Sequence, residues 1–285
     1  MKKPQWITAG VAVILVVLIF KFGKTVLPKK TERSAFDSTQ LSQAISIDSI
    51  LAQAKKHLSN EQIFRLNALE NSISRGDIKQ QQLNIYHQLA HFWSDTAGIF
   101  EPYAWYEAQA ARLENSEKSL NFAAHLFLNN LQSDGIQERR RWKALQAKDL
   151  FERSLSINPD NDSSKVGLGA CYMYGNISTS PMDGISKIRE VVERDSTNVY
   201  AQLTLAKGSV ISGQYDKAVN RLLTVNRLDP ENLETIMLLA DVHESLGNKV
   251  SAIAWYQKSL LYIKRQDIRN EIEKRIQALG GKSEN

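Results

Sequence analysis

Landmarks return every 34 residues in the second half of this chain. Leu205-Ala206 and Leu239-Ala240 are 34 apart, as are Gly213 and Gly247, and Ala218 and Ala252. A large residue stands four places after each of those alanines, at Leu222 and Tyr256, and Ala147 with Phe151 repeats the step upstream. Pro159 and Pro230 each follow the large residue by eight places. Leu168-Gly169 precedes Leu205-Ala206 by 37, and the unit between them carries the extra loop GNISTSPMDG. A period of this size marks a supersecondary unit that cannot bury its apolar face alone and must stack on its neighbours. Apolar residues recur at spacings of three and four, and glycine (14) and proline (6) are sparse, so the units are helical rather than tight-turned β.

Each landmark has a physical task. Small residues at Gly169, Ala206 and Ala240 let two helices approach to ~8–10 Å between axes. The glycines end a first helix in a left-handed conformation that other residues avoid. The prolines stop a second helix, and Asp160 and Asp229 beside them suit the turn and the next helix start. With Tyr172 three places after Gly169, this set resembles the tetratricopeptide repeat. The resemblance covers most of residues 80–265. It implies an all-α fold: a right-handed superhelical α-solenoid of helix-turn-helix repeats, here preceded by a single transmembrane helix. Units are expected at 83–115, 117–158, 162–197, 199–231 and 233–264, so that 83–264 holds about five repeats. Residues 40–80 read as a helical N-terminal extension or degenerate repeat. Residues 265–285 read as a capping helix and tail, with Ile268, Ile272 and Ile276 on one face.

In tetratricopeptide arrays the first helix of each pair lines the concave, ligand-binding side. Applied by register, the resemblance places Asn84, His87, His91 and Asp95 there first, then Asn121, His125 and Asn129, then Val166, Met173 and Tyr174. Tyr200, Leu203, Lys207 and Val210 follow, and Glu234, Met237, Asp241 and Glu244 close the series. The gradient runs from polar with histidine, through apolar and aromatic, to acidic. Of these, Tyr174, Tyr200, Leu203, Lys207, Val210, Met237, Asp241 and Glu244 are the expected partner-binding residues. A peptide or helix would anchor near Tyr174, Tyr200 and Leu203, with its basic end at Asp241 and Glu244.

No catalytic constellation stands out, and neither an enzymatic role, a cofactor nor a nucleic-acid partner is expected. HQLAH puts His87 and His91 four apart on a helix with Asp95 four further on, a conceivable metal face but without the metalloprotease glutamate. It sustains an alternative reading as a metal-dependent accessory factor or enzyme. GLGACYMYG (Gly167 to Gly175) lacks the strand and lysine of a phosphate cradle, and close helix packing accounts for its glycines. QERRRWK (Gln137 to Lys143) could meet phosphates or anionic lipid, and reads first as a solvated loop and helix start. The aromatics of FEPYAWYEAQ read as core. Cys171 is the only cysteine, so no intramolecular disulfide forms, and its apolar setting reads as packing.

The N-terminus is a separate matter. After a short basic tail (1–4), residues 5–23 read as a transmembrane anchor: Trp6 to Phe20 is uncharged, and Lys21 and Lys24 close it. The alternative, a cleaved signal peptide, lacks a small-x-small site before KFGKTVLPKK. Residues 24–39 read as a linker. Counting positive charge keeps the following domain in the cytoplasm, whereas the likeness to a bacterial signal anchor favours export to the periplasm. The expected protein is therefore a membrane-anchored scaffold of the bacterial inner membrane, single-pass. It would bind a protein or peptide partner, for example as a cell-envelope assembly factor.

Overall fold

Asn161, Asn198 and Asn232 set the register of the stack. Each side-chain oxygen accepts a hydrogen bond from a backbone N–H three residues on, at Ser164, Ala201 and Thr235. This satisfies one of the free donors at a helix start. Asp160 and Asp229, expected in this role, do something else. Asp229 accepts from the cap amide Asn232 at 3.0 Å, and Asp160 meets Arg194 and Lys165. At the opposite ends Gly213 and Gly247 have φ of 70° and 73°. The following amides, Gln214 and Asn248, reach back to the carbonyls of Ser209 and His243, closing the helix ends as a left-handed cap does.

The computed structural model describes residues 45–73, 79–177 and 180–281. Among these are thirteen α-helices, one π-helical turn and no strand. They are α1 (Ile47–Lys55), α2 (Asn60–Ile73), α3 (Lys79–His91), the π turn (Phe92–Thr96), α4 (Phe100–Glu114), α5 (Glu117–Leu131) and α6 (Gln137–Ile157). Then come α7 (Asp162–Tyr174), α8 (Met182–Arg194), α9 (Val199–Ile211), α10 (Tyr215–Leu228), α11 (Leu233–Ser245), α12 (Lys249–Leu260) and α13 (Gln266–Ala278). Consecutive helices pack as pairs, α3 with α4 through to α11 with α12. Within the pairs the fully buried small residues include Ala206 with Ala218, and Ala240 with Ala252. In α7–α8 the approach is closer still. A Cβ at Gly184 would collide with the Gly169 carbonyl oxygen, and a Cβ at Gly169 with Ile188.

Both ends of the stack carry further helices. Ala54 of α1 and Leu66 of α2 join Leu89, Phe92, Trp93 and Tyr106 in one core cluster, with Phe92 and Trp93 edge to face at 5.5 Å. At the other end α13 lays Ile272 and Ile276 against Ala240, Ala252 and Tyr256. The chain thus covers apolar edges that a stack would otherwise expose.

Where α4, α5 and α6 meet, charge is buried. Lys143 is 1% exposed. Its ammonium donates to Asp134 Oδ2 at 2.7 Å and Asn130 Oδ1 at 2.5 Å, and lies 2.8 Å from Glu101 Oε1. Arg139 grips Asp134 through two nitrogens. The basic stretch QERRRWK is therefore partly structural rather than simply solvated. Burial alone would push the Asp134 carboxyl up. Hydrogen bonds from Arg139, Lys143 and the Ile136 N–H outweigh it and hold the group well below the usual carboxylate range.

The expectation of a single-pass membrane protein is corrected. Among the described residues no helix is long and apolar enough to cross a membrane. The longest, α6 at 21 residues, carries Arg139, Arg140, Arg141, Lys143, Lys148, Asp149, Glu152 and Arg153, far too much charge for a span of ~20 apolar residues. The tail, anchor and linker read at 1–4, 5–23 and 24–39 lie outside the described residues.

Two outcomes are expected. Asp134→Ala breaks a buried pairing and leaves Lys143 and Arg139 to share the Glu101 carboxylate, and urea unfolding at pH 7 should show a loss of about 3–5 kcal/mol. Because the folded carboxyl titrates low, its stabilisation is complete above about pH 4 and is lost as pH falls; the variant should flatten that acid limb. Gly184→Ala should cost about 1–3 kcal/mol by overpacking, although alanine stands at the matching place in the neighbouring repeats. Wild-type stability in either variant would contradict these contacts.

Candidate functional site

The caps determine which side chains share a face. Tyr200, Thr204 and Lys207 fall on one stripe of α9, and Ala170 and Tyr174 on one stripe of α7. With Leu128, Asn129 and Gln132 from α5 and its end, and Glu234 from α11, they enclose a cavity of about 270 Å³. Four first helices supply its whole lining.

The walls are ordered by hydrogen bonds. The Tyr174 hydroxyl donates to the Thr204 carbonyl at 2.8 Å, tying α7 to α9. Burial pushes the phenols of Tyr174 and Tyr200 well up, so both stay neutral. Lys207 Nζ lies 2.5 Å from Glu234 Oε1, a part-exposed pair bridging α9 and α11. Beside the cavity, His125 of α5 meets Tyr200 at a tilt, centroids 5.6 Å apart, and Phe151 edge-on at 5.1 Å. Its Nε2 is 2.9 Å from Ser163 Oγ. Desolvation lowers the His125 pKa, so the imidazole is neutral at pH 7. The site therefore offers amides, hydroxyls, one aromatic face and one ion pair that water can still reach. Such groups can grip a peptide backbone or a polar side chain.

The expected binding residues divide. Tyr174, Tyr200 and Lys207 line the cavity. Leu203 is 8% exposed and belongs to the core between α9, α10 and α11, with Val210 packed against that core. Met237 packs against the last core cluster. Asp241 and Glu244 are engaged within the chain: the Tyr256 hydroxyl lies 2.6 and 2.8 Å from them and donates its one proton to either, and Arg275 of α13 lies 3.4 and 2.8 Å from them. The acidic end thus already holds a cation of the same chain. Register alone missed Leu128, Gln132, Ala170 and Thr204, all lining residues; Thr204 is four places from Tyr200 on the same stripe.

The histidine face does not assemble. His87 Nδ1 leans 3.5 Å from Glu107 Oε2 of α4, while His91 Nδ1 pairs with Asp95 Oδ2 at 3.2 Å. Among the described residues no group of three or more histidine, cysteine or carboxylate side chains is placed to hold a metal ion. Cys171 is buried, and burial pushes its thiol far up, so it serves packing.

Solved structures resemble the chain at low identity. A tetratricopeptide repeat protein from Parabacteroides merdae ATCC 43184 matches 81% of this chain and 88% of its own, at 12% identity and a TM-score of 0.52. MamA from Desulfovibrio magneticus RS-1, from residue 41 to the end, matches 67% of this chain and 98% of its own, at 18% identity and a TM-score of 0.43. YrrB, described as a TPR protein with an unusual peptide-binding site, matches 73% and 99%, at 15% identity and a TM-score of 0.41. The first of these shows a tetratricopeptide-type fold. No family model and no curated protein matches the chain.

His125 supplies a test of the site's geometry. Its depressed folded pKa means that the unfolded state takes up a proton first as pH falls. Stability should be full above about pH 7 and decline as pH drops through the unfolded value near 6.5. Unfolding curves across that range should show the decline in wild type and a flatter profile in His125→Gln. Equal slopes would mean that the ring is solvated.

Proposed function

We propose that the chain is a protein-interaction scaffold that holds an extended segment of a protein partner against α5, α7, α9 and α11. The observation that carries this reading is a cavity walled by four successive first helices. A ligand there touches several repeats at once, so the stack reads a segment rather than a point. At about 270 Å³ the cavity lies just below the ~300–1,000 Å³ typical of small-molecule sites. It suits one or two side chains of a longer segment that continues along the groove.

Within this reading Tyr200 supplies an apolar face, Asn129 and Gln132 meet the partner's backbone, and Lys207 and Glu234 each exchange their mutual pairing for a partner charge. Leu203, Val210 and Met237 act by holding the helices. Asp241 and Glu244 engage a basic group only if that group displaces Arg275.

Photo-crosslinkers placed at Asn129 and, as a control, at exposed Phe64 of α2 test the proposal in cells. A partner should be captured from position 129 and not from 64. Lys207→Glu, which sets a like charge beside Glu234, should weaken that partner about tenfold or more, since charge-assisted hydrogen bonds contribute about 1.5–3 kcal/mol. Equal capture from both positions, or indifference to the variant, would remove the groove from the function.

A further inference from the structure

A second cavity, of about 410 Å³, lies on the other side of α7 and α9, where α8 and α10 flank it. Its floor is apolar and its rim is cationic. Met173 and Ile185 line it, and Met182 stands 60% exposed at its edge. The Met173 methyl occupies the space that a Cβ at Gly208 would need, so the floor lies directly on the α9 backbone. Arg189 of α8 and Lys217 and Arg221 of α10 join the lining with Leu205, Ser209, Ser212 and Gln214, and among the described lining residues there is no carboxylate.

The charges here are handled unlike several others in the chain. Arg112, Arg139 and Arg275 each meet a carboxylate. Arg221, half-buried, donates to a neutral amide, Gln202 Oε1, at 2.8 Å, and Lys217 to another, Gln214 Oε1, at 2.7 Å. Burial, and then the neighbouring Arg189 charge, both work against the Arg221 guanidinium. Arg189 pairs with Glu193 at 3.5 Å, with both side chains well exposed, and such a pair is weak. Two neighbouring guanidiniums whose one carboxylate partner is a weak, exposed pairing oppose folding. An anion arriving between them would find planar donors already set, with only an exposed, weak carboxylate pairing on Arg189 to displace.

We propose that this cavity binds an acidic segment of a protein partner, its carboxylates on Arg189 and Arg221 and an apolar side chain against Met182 and Ile185. Charge complementarity selects the acidic side chains, and the methionine and isoleucine surface selects a segment that also carries an apolar residue. The site is separate from the groove between the first helices, so either can exist without the other.

The test is calorimetric titration of the full chain with a capped hexapeptide of alternating glutamate and leucine. Its lysine-for-glutamate counterpart and inorganic phosphate serve as comparison probes. Wild type should bind the acidic peptide, and Arg221→Gln and Arg189→Gln should each weaken it about tenfold. Lys207→Ala, in the other groove, should leave it unchanged. Arg189→Gln, which relieves a like-charge contact, should keep or raise the melting temperature while binding falls; it serves where Arg221→Gln fails to fold. The proposal is overturned if wild type ignores the acidic peptide, if the lysine peptide binds equally, or if both arginine variants bind as wild type does. It is equally overturned if Lys207→Ala abolishes binding, or if phosphate alone binds with the same arginine dependence and the peptide does not.

Discussion

Helix pairs in this chain stand only because small residues let two backbones meet. Ala206 against Ala218 and Ala240 against Ala252 are fully buried, and the α7–α8 pair goes further, with glycine on both sides at Gly169 and Gly184. Interiors are packed at crystal density, so one methyl group at such a contact forces a helix to move. A helix that moves carries its neighbours with it, because each pair is buried by the next. Capping asparagines and left-handed turns set the register along each helix; the small-residue contacts set the distance between them.

The groove follows from those two settings. With about 100° between successive residues of a helix, Tyr200, Thr204 and Lys207 lie within roughly 60° of one another. Their side chains therefore open into one cavity with those of α7 and α11. Leu203 and Val210 lie roughly 60–80° to one side of Tyr200, which is enough to place them in the core instead. Reading the face by three-and-four spacing mixes the two stripes, since both spacings are helical. The neighbours of α9 decide between them, and a single helix does not contain that information.

The helical repeat itself was legible in the sequence because its markers are local: a small residue, a glycine turn and a proline stop at a fixed period. Charge partnerships were not, because they join distant positions. Lys143 reads as one of a basic run, yet its partners include Glu101 on another helix. Asp241 and Glu244 read as a free acidic end, yet Arg275 arrives from α13, 31 positions beyond Glu244. The asparagine caps were visible in principle: Asn198 and Asn232 are 34 apart, the same period as the glycines. The aspartates beside the prolines drew the assignment to themselves because both residue types cap helices well.

The distribution of satisfied charge separates what holds the molecule together from what is left to meet something else. Lys143, Arg139, Arg112 and Arg275 lie against carboxylates, of which Asp134 is the buried one that the fold depends on. Lys207 and Glu234 form an intermediate case, paired with each other but open to water at the edge of a cavity. Arg189 and Arg221 form the opposite case, like charges that share the lining of one pocket, Arg221 held by an amide and Arg189 by a weak, exposed pairing with Glu193. A fold under no other demand gains by replacing one of them with a neutral residue. Their placement therefore argues for a compensating gain outside the fold, and an anionic partner supplies one.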